Sequence, residues 1–291
     1  MSNQQLSLPK RIDLFRLSLG VIGIGTSGPL IALSAMPIMT LIFWRNLGGA
    51  FFTFFLAIRH KQFANRHGLR WSAIAGVILA AHFTGFFISM RLTSVAAGTA
   101  ITALQPIFAA IFVAMNGVRV SKKAWLGMAI SFMGVLVITG VDLNISTKSF
   151  FGDLAALIGG ALAALYVMAG AKAQREVEST TYMAICYFVC AISALPIALL
   201  ISPNIFQFEA RQWLILLGLI LGAQLLGHSM FNSVLKRVSP AVVSLIVFFE
   251  VPVAALLATW WLDQKPAGGI WLGIILILIG CALVILRNDE N

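Results

Sequence analysis

The chain has 291 residues, of which 60% are hydrophobic and only 10% are charged. A soluble domain carries about a quarter charged residues, so this composition excludes a water-soluble globule of the same size. The net charge is +10, but the basic residues stand in small clusters between apolar stretches, as they do in the loops of membrane proteins. We therefore expect a polytopic all-α membrane protein that is embedded in the lipid bilayer and has no nucleic-acid partner.

Ten apolar stretches follow one another along the chain, and each is long enough for a membrane-spanning helix of about 20 residues. The first follows a short basic segment, and we interpret it as a retained helix because it is too long for the core of a signal peptide. The ten predicted helices cover residues 14–34, 37–58, 71–90, 94–115, 124–140, 152–172, 180–201, 212–233, 239–260 and 269–287.

Two of these helices contain a proline in mid-span, Pro106 in the fourth and Pro252 in the ninth. An interior proline frees a backbone carbonyl and kinks the helix. A bilayer tolerates such a carbonyl only inside a bundle or beside a cavity. We therefore predict a kink at each proline, facing the protein interior.

The basic residues predict the orientation of the helices. If both termini are cytoplasmic, fifteen of the 20 Lys and Arg residues fall on the cytoplasmic side. Four fall outside, and Arg45 lies within a span. This bias is the one that membrane insertion favours. We expect both termini in the cytoplasm, in the cytoplasmic (inner) membrane of a bacterium.

The chain also repeats itself, because a shift of 146 residues superimposes 67–140 on 213–286 without a gap. The rare residue types that coincide are His82 with His228, Arg91 with Arg237, Pro106 with Pro252, and Trp125-Leu126-Gly127 with Trp271-Leu272-Gly273. The repeat unit has five helices, and since five is odd the second copy is inverted. We predict two inverted five-helix repeats, residues 1–145 and 146–291. Secondary transporters built in this way bind substrate between the repeats.

The sequence resembles the EamA family of the drug/metabolite transporter superfamily over nearly its whole length. The resemblance rests on the segment Leu104-Gln105-Pro106-Ile107-Phe108, on its second copy Glu250-Val251-Pro252-Val253-Ala254, and on the two Trp-Leu-Gly segments. It implies ten helices in two repeats, and export or uptake of small metabolites such as amino acids, or of amphiphilic drugs. Family repeats often carry Gly-Glu after the proline-containing helix, where this chain has Gly117-Val118 and Asp263-Gln264.

Glu250 is the most informative polar residue, because it lies in mid-span two residues before Pro252. A charged side chain at the bilayer centre costs about 2.5–3.5 kcal/mol, so it should face the bundle interior or water. There it can carry a proton or bind a substrate ammonium group. The structural alternative is a buried acid paired with Arg45. Arg45 itself can bind a substrate carboxylate with two hydrogen bonds or neutralise Glu250.

His82 and His228 occupy equivalent positions in the two repeats. Histidine titrates near neutral pH and can relay protons or bind a ligand, whereas the alternative is a hydrogen bond between helices. Gln224, His228 and Asn232 recur every four residues, so in an α-helix they form one polar stripe that should line a cavity or pack on another helix.

Three further residues complete the predicted substrate-binding or proton-binding set. Gln105 stands beside the predicted kink at Pro106. Trp44 and Tyr187 lie deeper in their spans than the interfacial tryptophans, and they can stack on an apolar or cationic substrate. Packing in the core is the alternative for both aromatic residues.

These features predict a secondary transporter that moves small metabolites, amino acids above all, and exports them by alternating access, with protons as a candidate coupling partner. The alternatives are an uncoupled exchanger or uniporter, a drug exporter, and an intramembrane enzyme with a metal on His82, His228 and Glu250. No phosphate-binding loop or zinc-protease motif is present, and we expect no enzyme activity, metal or cofactor. Ten helices suffice for a monomer, and a weak dimer is the alternative.

Overall fold

The computed structural model describes residues 11–59, 65–117, 121–227, 230, 246 and 248–285. Within these residues the chain is helical and contains no β-strand. The helices of the first half are α1 (Arg11–Gly25), α2 (Ser27–Leu33), α3 (Ile38–Arg59), α4 (Arg66–Leu92), α5 (Val95–Thr102), α6 (Gln105–Met115) and α7 (Lys122–Ile145).

The helices of the second half are α8 (Thr147–Ala173), α9 (Ser179–Ile201), α10 (Ala210–Gly218), α11 (Glu250–Leu262) and α12 (Gly268–Ile285). Helix α10 continues directly into a π-helical segment, Leu219–Gly227. The wider π-helical winding is rare and occurs most often at functional sites.

Seven described segments are long and apolar enough to cross a membrane, which confirms a multi-pass helical protein. They are Arg11–Leu33, Ile38–Arg59, Arg66–Leu92, Val95–Met115, Thr147–Ala173, Ser179–Ile201 and Ala210–Gly227. Two shorter apolar helices, Glu250–Leu262 and Gly268–Leu283, follow them. The predicted eighth and ninth helices run partly through residues outside the described ranges. The count of ten helices and the cytoplasmic location of both termini therefore stay predictions.

Both proline-containing helices are interrupted in the structure. A turn at Ala103 and Leu104 separates α5 from α6, and Pro106 stands in the first turn of α6. The amide of Ile107 donates to the Leu104 carbonyl at 2.8 Å instead of to Ala103. In the second half, α11 begins at Glu250, directly after a turn and two residues before Pro252. Proline favours the first turn of a helix because it lacks the amide hydrogen that would be unpaired there.

Helices α7 and α12 pack against each other with a reciprocal pattern of contacts. The Ser131 hydroxyl donates to the Ile277 carbonyl at 3.1 Å, and these two residues are 146 positions apart. A Cβ atom added at Gly134 would lie 2.7 Å from the Gly273 carbonyl oxygen, and one added at Gly280 would overlap the Gly127 carbonyl oxygen. The shift of 146 residues that relates the two halves maps Gly134 onto Gly280 and Gly127 onto Gly273. Each of the two contacts is therefore the counterpart of the other.

Such reciprocity is typical of an interface around a two-fold axis. Two inverted copies of one unit would produce it, with Ser131 and Ile277 on the axis. The division of the chain at residues 145 and 146 stays a prediction. His228 and Arg237, the second members of two predicted repeat pairs, lie outside the described residues.

The close approach of α7 and α12 generates a test of this packing. Gly280→Ala should lower the free energy of unfolding by about 1–3 kcal/mol, because the added methyl group overlaps Ser131 and the backbone of α7. Gly268→Ala is the matched control, since nothing lies within 4 Å of its added Cβ atom. Denaturant titration in detergent measures both variants. Equal stability of Gly280→Ala and wild type would contradict this interface.

Candidate functional site

Arg45 lies at the centre of the bundle, on the buried face of α3. Its side chain is only 3% exposed, and its guanidinium carbon lies 4.6 Å from the centre of the Phe83 ring and 5.7 Å from that of Phe87. The Nη1 atom donates to the Ser27 hydroxyl at 3.5 Å. A guanidinium group between two aromatic rings gains cation–π stabilisation that partly offsets its removal from water.

The hydrogen-bonding capacity around Arg45 is incompletely used. The Nε atom of Arg45 and the Oδ1 atom of the adjacent Asn46 are buried and have no hydrogen-bond partner among the described residues. The amide of Asn46 donates instead to the Ile42 carbonyl of its own helix, at 2.8 Å. Buried polar atoms without partners are rare in native proteins and commonly mark a place for water or a ligand.

Glu250 lies opposite Arg45 and is half-buried. It is the first residue of α11, where the partial positive charge of the helix N-terminus favours a carboxylate. The turn before Pro252 creates this N-terminus inside the apolar sequence. Glu250 and Arg45 interact electrostatically, but within the described part of the chain they form no direct ion pair. The two opposite charges therefore interact without direct contact.

His82 lies one residue before Phe83, where α4 crosses α8. Its Nδ1 atom is 2.9 Å from the Gly159 carbonyl oxygen. Because a carbonyl can only accept, Nδ1 carries the hydrogen, and in the neutral ring Nε2 is left as an acceptor. His82 also interacts electrostatically with Arg45. The predicted interhelical hydrogen bond is thus present, and one ring nitrogen stays available beside the charged pair.

Gln224 and Tyr187 approach the same region from the π-helical segment and from α9. Gln224 belongs to the π-helical segment and is 2% exposed, and its amide packs against Gly49, one turn after Arg45. The Tyr187 hydroxyl neighbours both the Gln224 amide and the Arg45 guanidinium. The structure therefore brings Arg45, Tyr187, Gln224, Glu250 and His82 together around one interior region, which we name the central polar site.

Two predicted residues lie apart from the central polar site. The Trp44 indole donates its N–H to the Ile205 carbonyl at 2.8 Å, and its ring packs edge-on against Phe206 and Trp213. Trp44 thus anchors the segment between α9 and α10 rather than facing Arg45. Gln105 begins α6 and forms no side-chain hydrogen bond with any described residue. His228 and Asn232, which were predicted to belong to the site, lie outside the described residues. The predicted polar stripe of Gln224, His228 and Asn232 therefore stays a prediction.

Sequence reasoning missed the residues that surround the Arg45 guanidinium. Phe83 and Phe87 are four residues apart on α4, one turn of the same face, and this spacing beside His82 was the available signal. Ser27 carried no signal, because serine is common at helix crossings. The metal alternative includes His228, which lies outside the described residues, and so it is not tested. Among the described residues no group of three His, Cys, Asp or Glu side chains is placed to bind an ion.

The end of the bundle that we predict to face outside is closed by hydrogen bonds to the backbone. Arg91 donates to the Ser34 carbonyl at 3.1 Å and to the Met36 carbonyl. The Gln212 side chain accepts from the Ala35 amide at 2.8 Å. Gln264, at the position where family repeats often have Glu, accepts from the Val95 amide at 3.0 Å and so caps the start of α5.

The electrostatic interaction between Arg45 and Glu250 can be tested by a double-mutant cycle. Arg45→Gln and Glu250→Gln each leave one interior charge without its counter-charge, so each should lower the free energy of unfolding. The double variant removes both charges, and its loss should be smaller than the sum of the two single losses by about 0.5–3 kcal/mol. Denaturant titration in detergent measures the four proteins. Strictly additive losses would contradict an interaction between Arg45 and Glu250.

Comparison with known proteins identifies the fold and the family. The model of the EamA-like transporter family matches residues 14–140 and again residues 150–286. An uncharacterised transporter of Archaeoglobus fulgidus is 23% identical over 223 residues, which are 75% of each chain. The uncharacterised transporter YyaM of Bacillus subtilis is 25% identical over 204 residues, which are 67% of this chain and 66% of the relative.

A solved crystal structure, described simply as that of a protein, is similar with a TM-score of 0.63 and 18% identity. The similarity covers 96% of this chain and 98% of that chain, and at this identity it shows the fold alone. The two family matches together span nearly the whole sequence and confirm the resemblance seen in its motifs. The chain belongs to the EamA-like transporter family, and it is a multi-pass membrane protein of that family.

Proposed function

We propose that this chain is a secondary transporter that exports small metabolites, amino acids and related compounds above all, across the cytoplasmic membrane of a bacterium. The observation that carries this proposal is the separation of Arg45 and Glu250. Two opposite charges in an apolar interior would pair directly if their only role were structural. They interact electrostatically without a direct ion pair, so we infer that each can bind the opposite charge of a molecule that carries both.

The chemistry of the central polar site fits a zwitterion. Arg45 offers a planar set of donors that matches a carboxylate, and its Nε atom has no partner among the described residues. Glu250 offers a carboxylate that can bind a protonated amine. The rings of Phe83 and Phe87 provide an apolar wall beside the charged groups. An α-amino acid presents these three features within one small molecule.

Alternating access requires that the closed end of the bundle opens reversibly. The contacts that close it are hydrogen bonds between side chains and the backbone. Arg91 donates to a carbonyl, and Gln212 and Gln264 each accept from a backbone amide. Each such bond contributes only about 0.5–1.5 kcal/mol net, so substrate binding can offset the loss of a few of them. Two inverted repeats that rock about the site provide the matching opening on the other side.

Glu250 is the group that we propose to couple transport to protons. A carboxylate that binds the substrate amine must release it, and protonation removes the charge that holds it. A specific observation favours the second candidate, an uncoupled exchanger. Arg45 already supplies a positive counter-charge to Glu250, so the two side chains balance each other without a bound proton.

Proteoliposomes test both candidates. Vesicles that contain the purified chain are loaded with a mixture of the common L-amino acids, and efflux is followed by mass spectrometry with and without a pH gradient. Coupled transport predicts that Glu250→Gln lowers gradient-driven efflux by about tenfold or more, since one contact to a charged group is lost. Glu178→Gln removes an exposed acid and should transport like wild type.

The two candidates give different results in Glu250→Gln. Counterflow that persists without pH dependence favours the uncoupled exchanger. Wild-type vesicles that hold folded protein and release no amino acid selectively would contradict the proposed substrate class.

A further inference from the structure

The π-helical segment Leu219–Gly227 carries a buried amide whose hydrogen-bonding capacity is incompletely used, although it neighbours the Tyr187 hydroxyl. Gln224 is 2% exposed, and neither its Nε2 nor its Oε1 atom has a hydrogen-bond partner of normal geometry among the described residues. An amide in an apolar interior without partners is costly. Segments of π-helix persist most often where function requires them. The position of Gln224 therefore needs an explanation beyond packing.

The neighbouring helix α3 is shaped to receive this amide. Gly49 faces Gln224, and a Cβ atom added at Gly49 would lie 2.6 Å from the Gln224 Cδ atom and would overlap Nε2. Only glycine leaves the amide enough space at this point. Arg45 precedes Gly49 by four residues and so lies on the same face of α3, one turn away. The space at Gly49 places the Gln224 amide next to the Arg45 side of the central polar site.

The polar groups at this end of the site include several donors, and the Gln224 Oε1 atom is an unpaired acceptor beside them. The Arg45 guanidinium, the Tyr187 hydroxyl and the Gln224 amide come from three different elements, α3, α9 and the π-helical segment. Arg45 and Gln224 each have an unpaired nitrogen, Nε and Nε2. Glu250 interacts with Arg45 from α11. Donors that converge from three directions match the two oxygens of a carboxylate.

We propose that Gln224 is a substrate-binding residue that reads the carboxylate of the transported molecule. Its Nε2 atom donates to one carboxylate oxygen, and Arg45 donates to the other. The π-helical winding and Gly49 together hold the amide in place before the substrate arrives. This assignment rests on the proposed transport function and names the residue that makes the site selective for carboxylates.

A structural role and a substrate-binding role for Gln224 predict different unfolding temperatures for Gln224→Leu in the absence of substrate. If the amide stabilised the fold through Tyr187, Gln224→Leu would leave the Tyr187 hydroxyl unpaired and lower the unfolding temperature. If the amide awaits substrate, Gln224→Leu removes an unpaired polar group, and the unfolding temperature should stay equal or rise. Thermal unfolding of both proteins in detergent without amino acids decides between the two roles.

Two neighbouring glycines provide a matched pair for the functional test. Gly49→Ala pushes the Gln224 amide away from its position. Gly48→Ala meets only the tip of a flexible alkyl chain, the Ile220 Cδ1 atom at 2.6 Å. Proteoliposomes are loaded with the common L-amino acids, or with the amines that correspond to them without the carboxylate. The readout is the ratio of amino-acid efflux to amine efflux.

Gln224→Leu and Gly49→Ala should both lower this ratio by about tenfold, which corresponds to one lost contact with a charged group, while Gly48→Ala should match wild type. An unchanged ratio in both variants, or a lowered unfolding temperature in Gln224→Leu, would overturn the assignment. Wild-type vesicles that export neither probe would refute the proposed function instead, and the comparison of unfolding temperatures would still decide the role of Gln224.

Discussion

The structure depends on the burial of one guanidinium group in an apolar bundle. Arg45 is held by the rings of Phe83 and Phe87 and by the Ser27 hydroxyl, and it interacts with its counter-charge on Glu250 without a direct ion pair. A lone charge in a bilayer interior is expensive, so both residues must be compensated at a distance. The compensation comes from aromatic faces, from the N-terminus of α11 and from the electrostatic attraction between the two charges.

The interruption of two helices makes this arrangement stable within a membrane. Proline at residues 106 and 252 starts new helices in mid-span, and in the second case the new N-terminus falls on Glu250. The partial positive charge of a helix N-terminus then stands within the apolar sequence, an arrangement that inverted-repeat carriers use to bind charged substrate groups. The reciprocal glycine contacts between α7 and α12 agree with a pseudo-two-fold axis. Such an axis would relate the helix interruption at Pro106 to the one at Pro252.

The sequence predicted the family, the multi-pass helical class and the positions of the interruptions, because proline and a mid-span acid carry strong local signals. It also placed Arg45, Glu250, Gln224, Tyr187 and His82 among the candidate residues. The sequence also placed Trp44 in this set, because Trp44 lies deep within its predicted span. Its position in the span does not show that the indole N–H donates to the Ile205 carbonyl. The π-helical winding was also missed, because the predicted stripe at Gln224 assumed 3.6 residues per turn. Phe83 and Ser27 were not predicted, because apolar and small residues occur on both the lipid-facing and the buried faces of membrane helices and so do not distinguish between them.

We infer that a molecule with a carboxylate and an amine completes the polar interior around Arg45 and Glu250. This inference can be tested by equilibrium dialysis of the purified chain in detergent against a bacterial metabolite extract, with mass spectrometry as the readout. Wild type should enrich a small set of zwitterions, and Arg45→Gln and Glu250→Gln should both lose this enrichment. Enrichment that is unaffected by both substitutions, or no enrichment by the folded wild-type protein, would contradict the proposed binding site.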